Sequence, residues 1–188
     1  MLADMLQLLL DVFVQGFAGV LLFRFLLQWL RAPMRNPIGE FVMALTDFAV
    51  LRARRIIPSV LKLDSASLLL AFLFELIYLT LTLLVQDYPF DHFPLLGLLA
   101  LGTVEMFRLS VYFLMGALIF QAILSWVNPY TPLAPMLAVI TQRFLRPLQR
   151  ILPLIGNVDL SPLLLLVICQ IFLLAPLAVV ANMAKRLL

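Results

Sequence analysis

Four long apolar runs alternate along this chain with shorter stretches in which polar and apolar positions interleave at helical spacing. An α-helix rises 1.5 Å per residue, so about 20 apolar residues are needed to cross a hydrocarbon core of about 30 Å. The runs at about residues 5–30, 65–85, 105–127 and 160–184 meet that length and are predicted as spans. The third belongs to a longer apolar stretch, 93–127, which exceeds one span and falls short of two spans and a turn. Residues 93–104 are therefore predicted as an interfacial or re-entrant lead-in to the third span.

The stretches between the first and second spans and between the third and fourth carry a different pattern. In the first, Ile38, Phe41, Val42, Leu45 and Ala49 recur at i, i+3, i+4, i+7 and i+11. In the second, Leu133, Met136, Leu137, Ile140 and Phe144 do the same. That spacing draws one stripe along a 3.6-residue helix. Each stretch is too short and too charged to span, and amphipathic helices at 37–57 and 132–152 lying in the headgroup plane are expected. A re-entrant hairpin or a helix capping the bundle is the alternative. The expected fold class is thus all-α transmembrane, four spans in two halves, 1–92 and 93–188, each with an amphipathic interfacial helix between its spans.

Composition agrees with a lipid solvent. Of 188 residues, 64% are hydrophobic and 12% charged, against about 45–50% and about 25% in soluble domains. The net charge of +3 does not point to nucleic acid, because there is no phosphate loop and no aromatic-basic platform. The basic residues are instead gathered beside the spans: Arg31, Arg35, Arg52, Arg54, Arg55 and Lys62 in one connector, Arg143, Arg146 and Arg150 in the other. The loop 86–92 holds Asp87 and Asp91 and no Lys or Arg. An excess of Lys and Arg marks cytoplasmic segments, so both connectors are expected in the cytoplasm and both termini outside. Lys185 and Arg186 dissent. The N-terminus has Asp4 and Asp11, no basic n-region and no A-x-A-like site, and is read as an uncleaved first span.

The chemistry of enzymes is missing from the pattern. The single His92 stands beside Asp91, where a metal would need three or four ligands. The single Cys169 lies in an apolar run, and one cysteine forms no internal disulfide. No H-E-x-x-H, G-x-S-x-G or catalytic carboxylate pair occurs. The chain is expected not to be an enzyme, with no catalytic, cofactor-binding or metal residues and no cofactor.

The two halves read as copies. Arg24, Gln28 and Trp29 align with Gln121, Ser125 and Trp126 at an offset of 97. After a two-residue length difference the offset becomes 95: Pro37 meets Pro132, Thr46 meets Thr141, Arg55-Ile-Ile-Pro58 meets Arg150-Ile-Leu-Pro153, and Asp64 meets Asp159. Two spans per half make the repeat parallel, with a pseudo-two-fold axis along the membrane normal. The ordered set comprises the span Arg with its Trp, Asn36-Pro37 and Asn128-Pro129, Arg54-Arg55-Ile56-Ile57-Pro58, Asp64-Ser65-Ala66-Ser67 and Asp159-Leu160-Ser161-Pro162. It resembles the YggT family, also called YlmG. The first copy departs from the family pattern at Phe48 and Arg52, where prolines are usual, and the second at Gln121 and Gln149, where arginines are. The resemblance implies a small multi-pass protein of the bacterial inner membrane with plastid relatives. It also implies a link to osmotic stress, cell division or the maturation of membrane complexes.

Polar residues within the spans cost several kcal/mol each in lipid and mark buried pairs or function. Asp11 and Arg108 each precede a Trp by 18 residues, about 27 Å of helix, which puts them at the outer interface. Arg24 is expected to pair with Glu75, with Gln121 and Gln170 as the neutral counterpart. That pair is either part of an ion path or a neutralised structural pair. Glu75, Tyr78 and Thr82 share one helix face. Trp29 and Trp126 are expected as interfacial anchors. Asp64 and Asp159 are expected to cap the following spans after breaks at Pro58 and Pro153. The basic patches Arg52, Arg54, Arg55 and Arg143, Arg146, Arg150 are expected to meet anionic lipid headgroups or a membrane or cytoplasmic protein partner. Function is expected as a scaffold or assembly factor, or alternatively as a small oligomeric ion or solute channel or transporter; a homo-oligomer fits either.

Overall fold

The computed structural model describes residues 1–55, 57, 64–89, 94–128, 130–151 and 159–188, the side chain of Trp126 excepted. Expectations for Pro58, Lys62, Asp91, His92, Phe93, Pro129 and Pro153 fall outside the described residues. Every regular element among the described residues is helical: α1 Leu2–Leu9, a π-helical turn Leu10–Gln15, α2 Gly16–Trp29, α3 Pro37–Ala53, α4 Ser65–Val85, α5 Leu95–Val127, α6 Ala134–Ile151, α7 Ser161–Leu174 and α8 Pro176–Lys185. Four helical stretches are long and apolar enough to cross a membrane: Leu2–Trp29, Ser65–Val85, Leu95–Ser125 and Ser161–Lys185.

Three features depart from the sequence pattern. The separate lead-in expected at 93–104 is not a separate element, because Leu95–Val127 runs as one helix of 33 residues. At 1.5 Å per residue it is about 50 Å long, well over the thickness of a hydrocarbon core of about 30 Å. The first stretch is not a uniform α-helix, since it widens into a π turn around Asp11. The fourth breaks at Ala175, whose ψ of −81° precedes Pro176; a proline removes a backbone donor and crowds the preceding turn.

The helix ends explain how the chain turns. Leu30 ends α2, Arg31 takes a positive φ of 57°, and Ala32 N–H reaches back to Leu27 O at 2.8 Å while Arg31 N–H reaches Gln28 O at 3.0 Å. Asp87, at φ 52°, ends α4 with the same bonds, Tyr88 N–H to Leu83 O and Asp87 N–H to Leu84 O. This is the left-handed helix stop that glycine normally fills. After it, Asn36 caps α3, accepting from Gly39 N–H at 2.9 Å and donating to Pro33 O at 2.6 Å. A side chain at Gly39 is excluded, since its Cβ would lie 2.2 Å from Met34 O.

Packing puts both connector helices at one end of the bundle. Leu27 and Ala32 share a buried cluster with Met136, Leu137 and Ile140 of α6. The Arg143 guanidinium lies 5.0 Å from the centre of the Trp29 ring. At the other end, Gln7 reaches Tyr78 and Thr82, and the Tyr88 hydroxyl donates to the carbonyl of Leu188.

The two connector helices bury different faces. On α6 the expected stripe faces inward, with Met136, Leu137 and Ile140 buried. On α3 the inward face is Gly39, Val42, Thr46 and Val50, one position away from much of the expected stripe. Phe41 and Leu45 are 60% and 40% exposed. The close approach at Gly39 and the polar bond made by Thr46 turn α3 to this face.

Candidate functional site

The densest polar constellation lies where α2, α3 and α4 meet. Arg24 projects from α2, one turn before its end, and its side chain is 4% exposed. One guanidinium nitrogen, Nη1, donates to Thr46 Oγ1 at 2.6 Å and to Asp47 Oδ1 at 2.7 Å, both on α3. Its Nε stands 3.7 Å from Asp64 Oδ2. Asp64 is the N-cap of α4, and its side chain is 3% exposed. Its two oxygens take Arg54 in a fork, Nε at 3.1 Å and Nη2 at 2.7 Å, and also accept from Ser67 Oγ at 2.5 Å and Ser67 N–H at 3.4 Å. Two arginines and two aspartates thus staple the connector helix α3 to both spans that flank it.

The electrostatics follow from this geometry. Burial pushes the Asp64 carboxyl up, but the hydrogen bonds from Arg54 and Ser67 outweigh it and hold the group below its ordinary value. The Arg54 guanidinium is raised in turn, chiefly by its hydrogen bond to Asp64. A bidentate, charge-assisted fork of this kind is the strong form of an Arg–carboxylate contact.

The expected partner of Arg24 was Glu75, and the structure corrects this. Glu75 is fully buried on α4, and neither carboxylate oxygen has a hydrogen-bond partner among the described residues. The reason is depth. Arg24 lies five residues, about 7.5 Å, from Trp29, whereas Glu75 lies eleven residues, about 16 Å, beyond Asp64. The flexible arginine stem carries its charge toward the connector, where Asp47 and Asp64 wait. Asp47 was missed by sequence reasoning; its only signal was a carboxylate next to Thr46, midway along a helix whose other charges, Glu40 and Arg52, lie near its ends.

Similar bonds recur at the positions aligned in the second half, without the charge. The Thr141 hydroxyl bonds Gln121 at 2.5 Å and Leu137 O at 2.9 Å, as Thr46 bonds Arg24 and Val42 O. Gln149 Nε2 donates to Asp159 Oδ2 at 2.7 Å, as Arg54 donates to Asp64. Asp159 accepts from Ser161 N–H at 2.8 Å. The Ser161 bonds, with that from Gln149, hold the Asp159 carboxyl low. Unlike Asp64, Asp159 is exposed and sits one residue before the N-cap, Leu160. Gln170, aligned with Glu75, is exposed.

The remaining polar residues sort by position. Tyr78 donates to Asp11 at 2.9 Å, and Gln7 to Asp11 at 2.8 Å, forming a cluster with Thr82 at the terminal end of the bundle. Arg108 pairs with Glu105 at 2.9 Å on one helix face. Arg52, Arg55, Arg146 and Arg150 are exposed on the connector side, whereas Arg54 is held by Asp64 and Arg143 by Trp29. Cys169 is buried in a cluster with Leu118, Leu145 and Leu165. Among the described residues no group of three or more His, Cys, Asp or Glu is placed to hold a metal ion.

These features define the class: an all-helical, multi-pass membrane protein whose buried charges join helices at one end of the bundle. The family model described as CCB3/YggT matches it over residues 3–85 and 94–180, and the chain belongs to that family. It is 29% identical over 167 residues to the uncharacterized protein YggT of Escherichia coli (strain K12), covering 88% of this chain and 86% of that one. It is 34% identical over 146 residues to an uncharacterized protein of Pseudomonas aeruginosa, covering 77% and 74%. A Vibrio alginolyticus relative is 30% identical over 164 residues, covering 87% and 86%. No solved structure matches the chain.

Proposed function

We propose that this chain is a non-enzymatic inner-membrane scaffold or assembly factor, serving envelope or osmotic-stress homeostasis or cell division. In this reading it is two parallel copies of one span–amphipathic helix–span unit. Both connectors face the cytoplasm, and both termini face outward. The repeat is supported by the two matched segments of the family model and by the paired Thr–Arg/Gln and Asp–Arg/Gln bonds. The orientation rests on the nine basic residues of the connectors against none in loop 86–92.

One observation carries the scaffold reading. The buried cation Arg24 is engaged by Thr46, Asp47 and Asp64 in fixing a connector helix, and does not line a path with Glu75. A pair that anchors an element serves presentation: α3 and α6 hold Arg52, Arg55, Arg146 and Arg150 outward, toward anionic headgroups or a soluble or membrane partner. No cofactor and no nucleic acid enters this reading.

The alternative is a small oligomeric channel or transporter. It draws on Glu75, an intramembrane carboxyl with both oxygens unbonded. Purified protein in liposomes, tested for ion flux, separates the two. The scaffold reading expects no flux; flux abolished by Glu75→Gln at normal protein levels overturns it. Reporters fused after Leu30 and after Val127 test the repeat: both are expected cytoplasmic, and opposite sides overturn it.

A further inference from the structure

A groove of about 860 Å³ runs between α2, α4 and α5 and ends against α6. Its floor is buried, with Leu22 at 2%, Leu27 at 0% and Met106 at 8% exposure, while its rim stands open at Leu69 and Phe107, 53% and 60% exposed. The lining is apolar save for Ser65, Thr103 and Ser110. The Thr103 and Ser110 hydroxyls are already given to Leu99 O and Met106 O. Ser65 is engaged as well, so apart from the Trp29 indole at its end the groove offers an occupant no free polar partner. On α5 it extends from Thr103 to Leu114, about 16 Å of helix, which matches the acyl layer of one leaflet, about 15 Å.

Its connector end is different. There the wall is Trp29, and the Arg143 guanidinium covers that ring. Arg143 is exposed and makes no ion pair or hydrogen bond among the described residues, so its donors are open to an anion. The nearby Asp64, next to Ser65 of the lining, does not repel one, since Arg54 and Arg24 match its charge. An apolar trough one leaflet deep, with a cation over an indole at the mouth, complements a single amphiphile with a negative headgroup.

We propose that the groove holds one acyl chain of an anionic phospholipid from the connector-side leaflet, with its phosphate on Arg143 beside Trp29. The acyl chain occupies the trough between α2, α4 and α5. This inference rests on the membrane reading above, but not on the scaffold role. A bound lipid of this kind would fasten α6 to α2 through its headgroup.

Native mass spectrometry of the detergent-purified protein, offered phosphatidylglycerol or phosphatidylcholine with identical chains, tests it. One phosphatidylglycerol is expected to be retained in preference. Arg143→Gln is expected to lower the phosphatidylglycerol-to-phosphatidylcholine ratio about fivefold, the effect of one basic contact to an anionic headgroup, while phosphatidylcholine stays bound. Thr103→Phe, at an exposed lining position, is expected to displace either lipid. Met106→Phe, on the floor, provides the same test should Thr103→Phe elute as an aggregate. Equal retention of both headgroups by wild type and Arg143→Gln overturns the headgroup site. Retention untouched by both filling variants overturns the groove, as does a lipid-free dimer that buries it. Because the measurement is made in detergent, its failure leaves the flux and orientation tests standing.

Discussion

Replacing Asp64 by alanine, with Asp159→Ala as the internal control, measures what the buried ion pairs contribute. Asp64 loses its cap bond to Ser67, which is worth about 1 kcal/mol. It also leaves Arg24, 4% exposed, with Asp47 as its only remaining carboxylate among the described residues. Removing one partner of a fully buried pair costs about 3–5 kcal/mol; Asp47 is 44% exposed and still bound, so about half of that is expected. The Arg54 contact adds little, because that side chain is 43% exposed and water replaces the bond. The sum is a loss of about 3 kcal/mol. Asp159→Ala removes a neutral Gln149 bond and the bond to Ser161 N–H at an exposed position, a loss of about 1 kcal/mol. The difference, about 2 kcal/mol, is roughly a 30-fold change in the unfolding equilibrium. Unfolding in mixed micelles by sodium dodecyl sulfate, followed by circular dichroism, reads both. Equal losses for the two alanine variants would refute the claim that Arg24 depends on Asp64.

Other perturbations test separate parts of the structure. Arg24→Gln imitates position 121 and keeps a bond to Thr46, so it is expected to cost about 1 kcal/mol less than Arg24→Ala in the same unfolding assay. Glu75→Leu removes a buried, unbonded carboxyl and is expected to hold or raise stability; a loss above about 1 kcal/mol would reveal an unrecognised partner. Arg31→Gly relieves a positive φ of 57° and is expected to raise stability by about 1 kcal/mol, whereas Gly39→Ala is expected to lower it, because the new Cβ would meet Met34 O. Asp64 titrates below its ordinary 3.8 in the folded chain. Its contribution is therefore complete above that value and lost as pH falls through the lower native one. Unfolding midpoints below pH 4 are expected to decline in wild type more steeply than in Asp64→Asn.

The spans were legible because lipid imposes one rule, a run of about 20 apolar residues, and three of the four observed stretches begin within three residues of the expected position. What periodicity could not supply was the partner of each charge. Counting residues from Trp29 and Asp64 locates positions along each helix, but the Arg24 charge sits at the end of a flexible stem that reaches the carboxylates at the connector end. The inward face of α3 was illegible for a related reason. Apolar residues lie on several sides of that helix, so the stripe Ile38–Phe41–Val42–Leu45–Ala49 did not reveal that Gly39 and Thr46 determine which side docks. The break at Pro176 was readable in principle, since a proline within an apolar run interrupts the hydrogen-bond ladder. The π turn around Asp11 has no comparable signature.

The asymmetry between the halves follows from what each connector helix can bury. Against the bundle α6 sets Met136, Leu137, Ile140 and Leu145, four large apolar side chains, with Thr141 among them. Against the same end α3 sets Gly39, Val42, Thr46 and Val50, all small. A large aliphatic side chain withdrawn from a wet interface stabilises by about 1.5–3 kcal/mol, so α6 docks on apolar contact alone and its polar bonds can be neutral. Gln121 and Gln149 suffice there. α3 lacks that surface, and Arg24 and Arg54, acting through Asp47 and Asp64, supply the attachment instead. This divides the connector-side arginines: of the six described in the first half, Arg24 and Arg54 are tied to carboxylates, whereas Arg143, Arg146 and Arg150 of α6 form no ion pair among the described residues. All three arginines of α6 are therefore available to a phosphate or an acidic partner, as are Arg52 and Arg55 of the first connector.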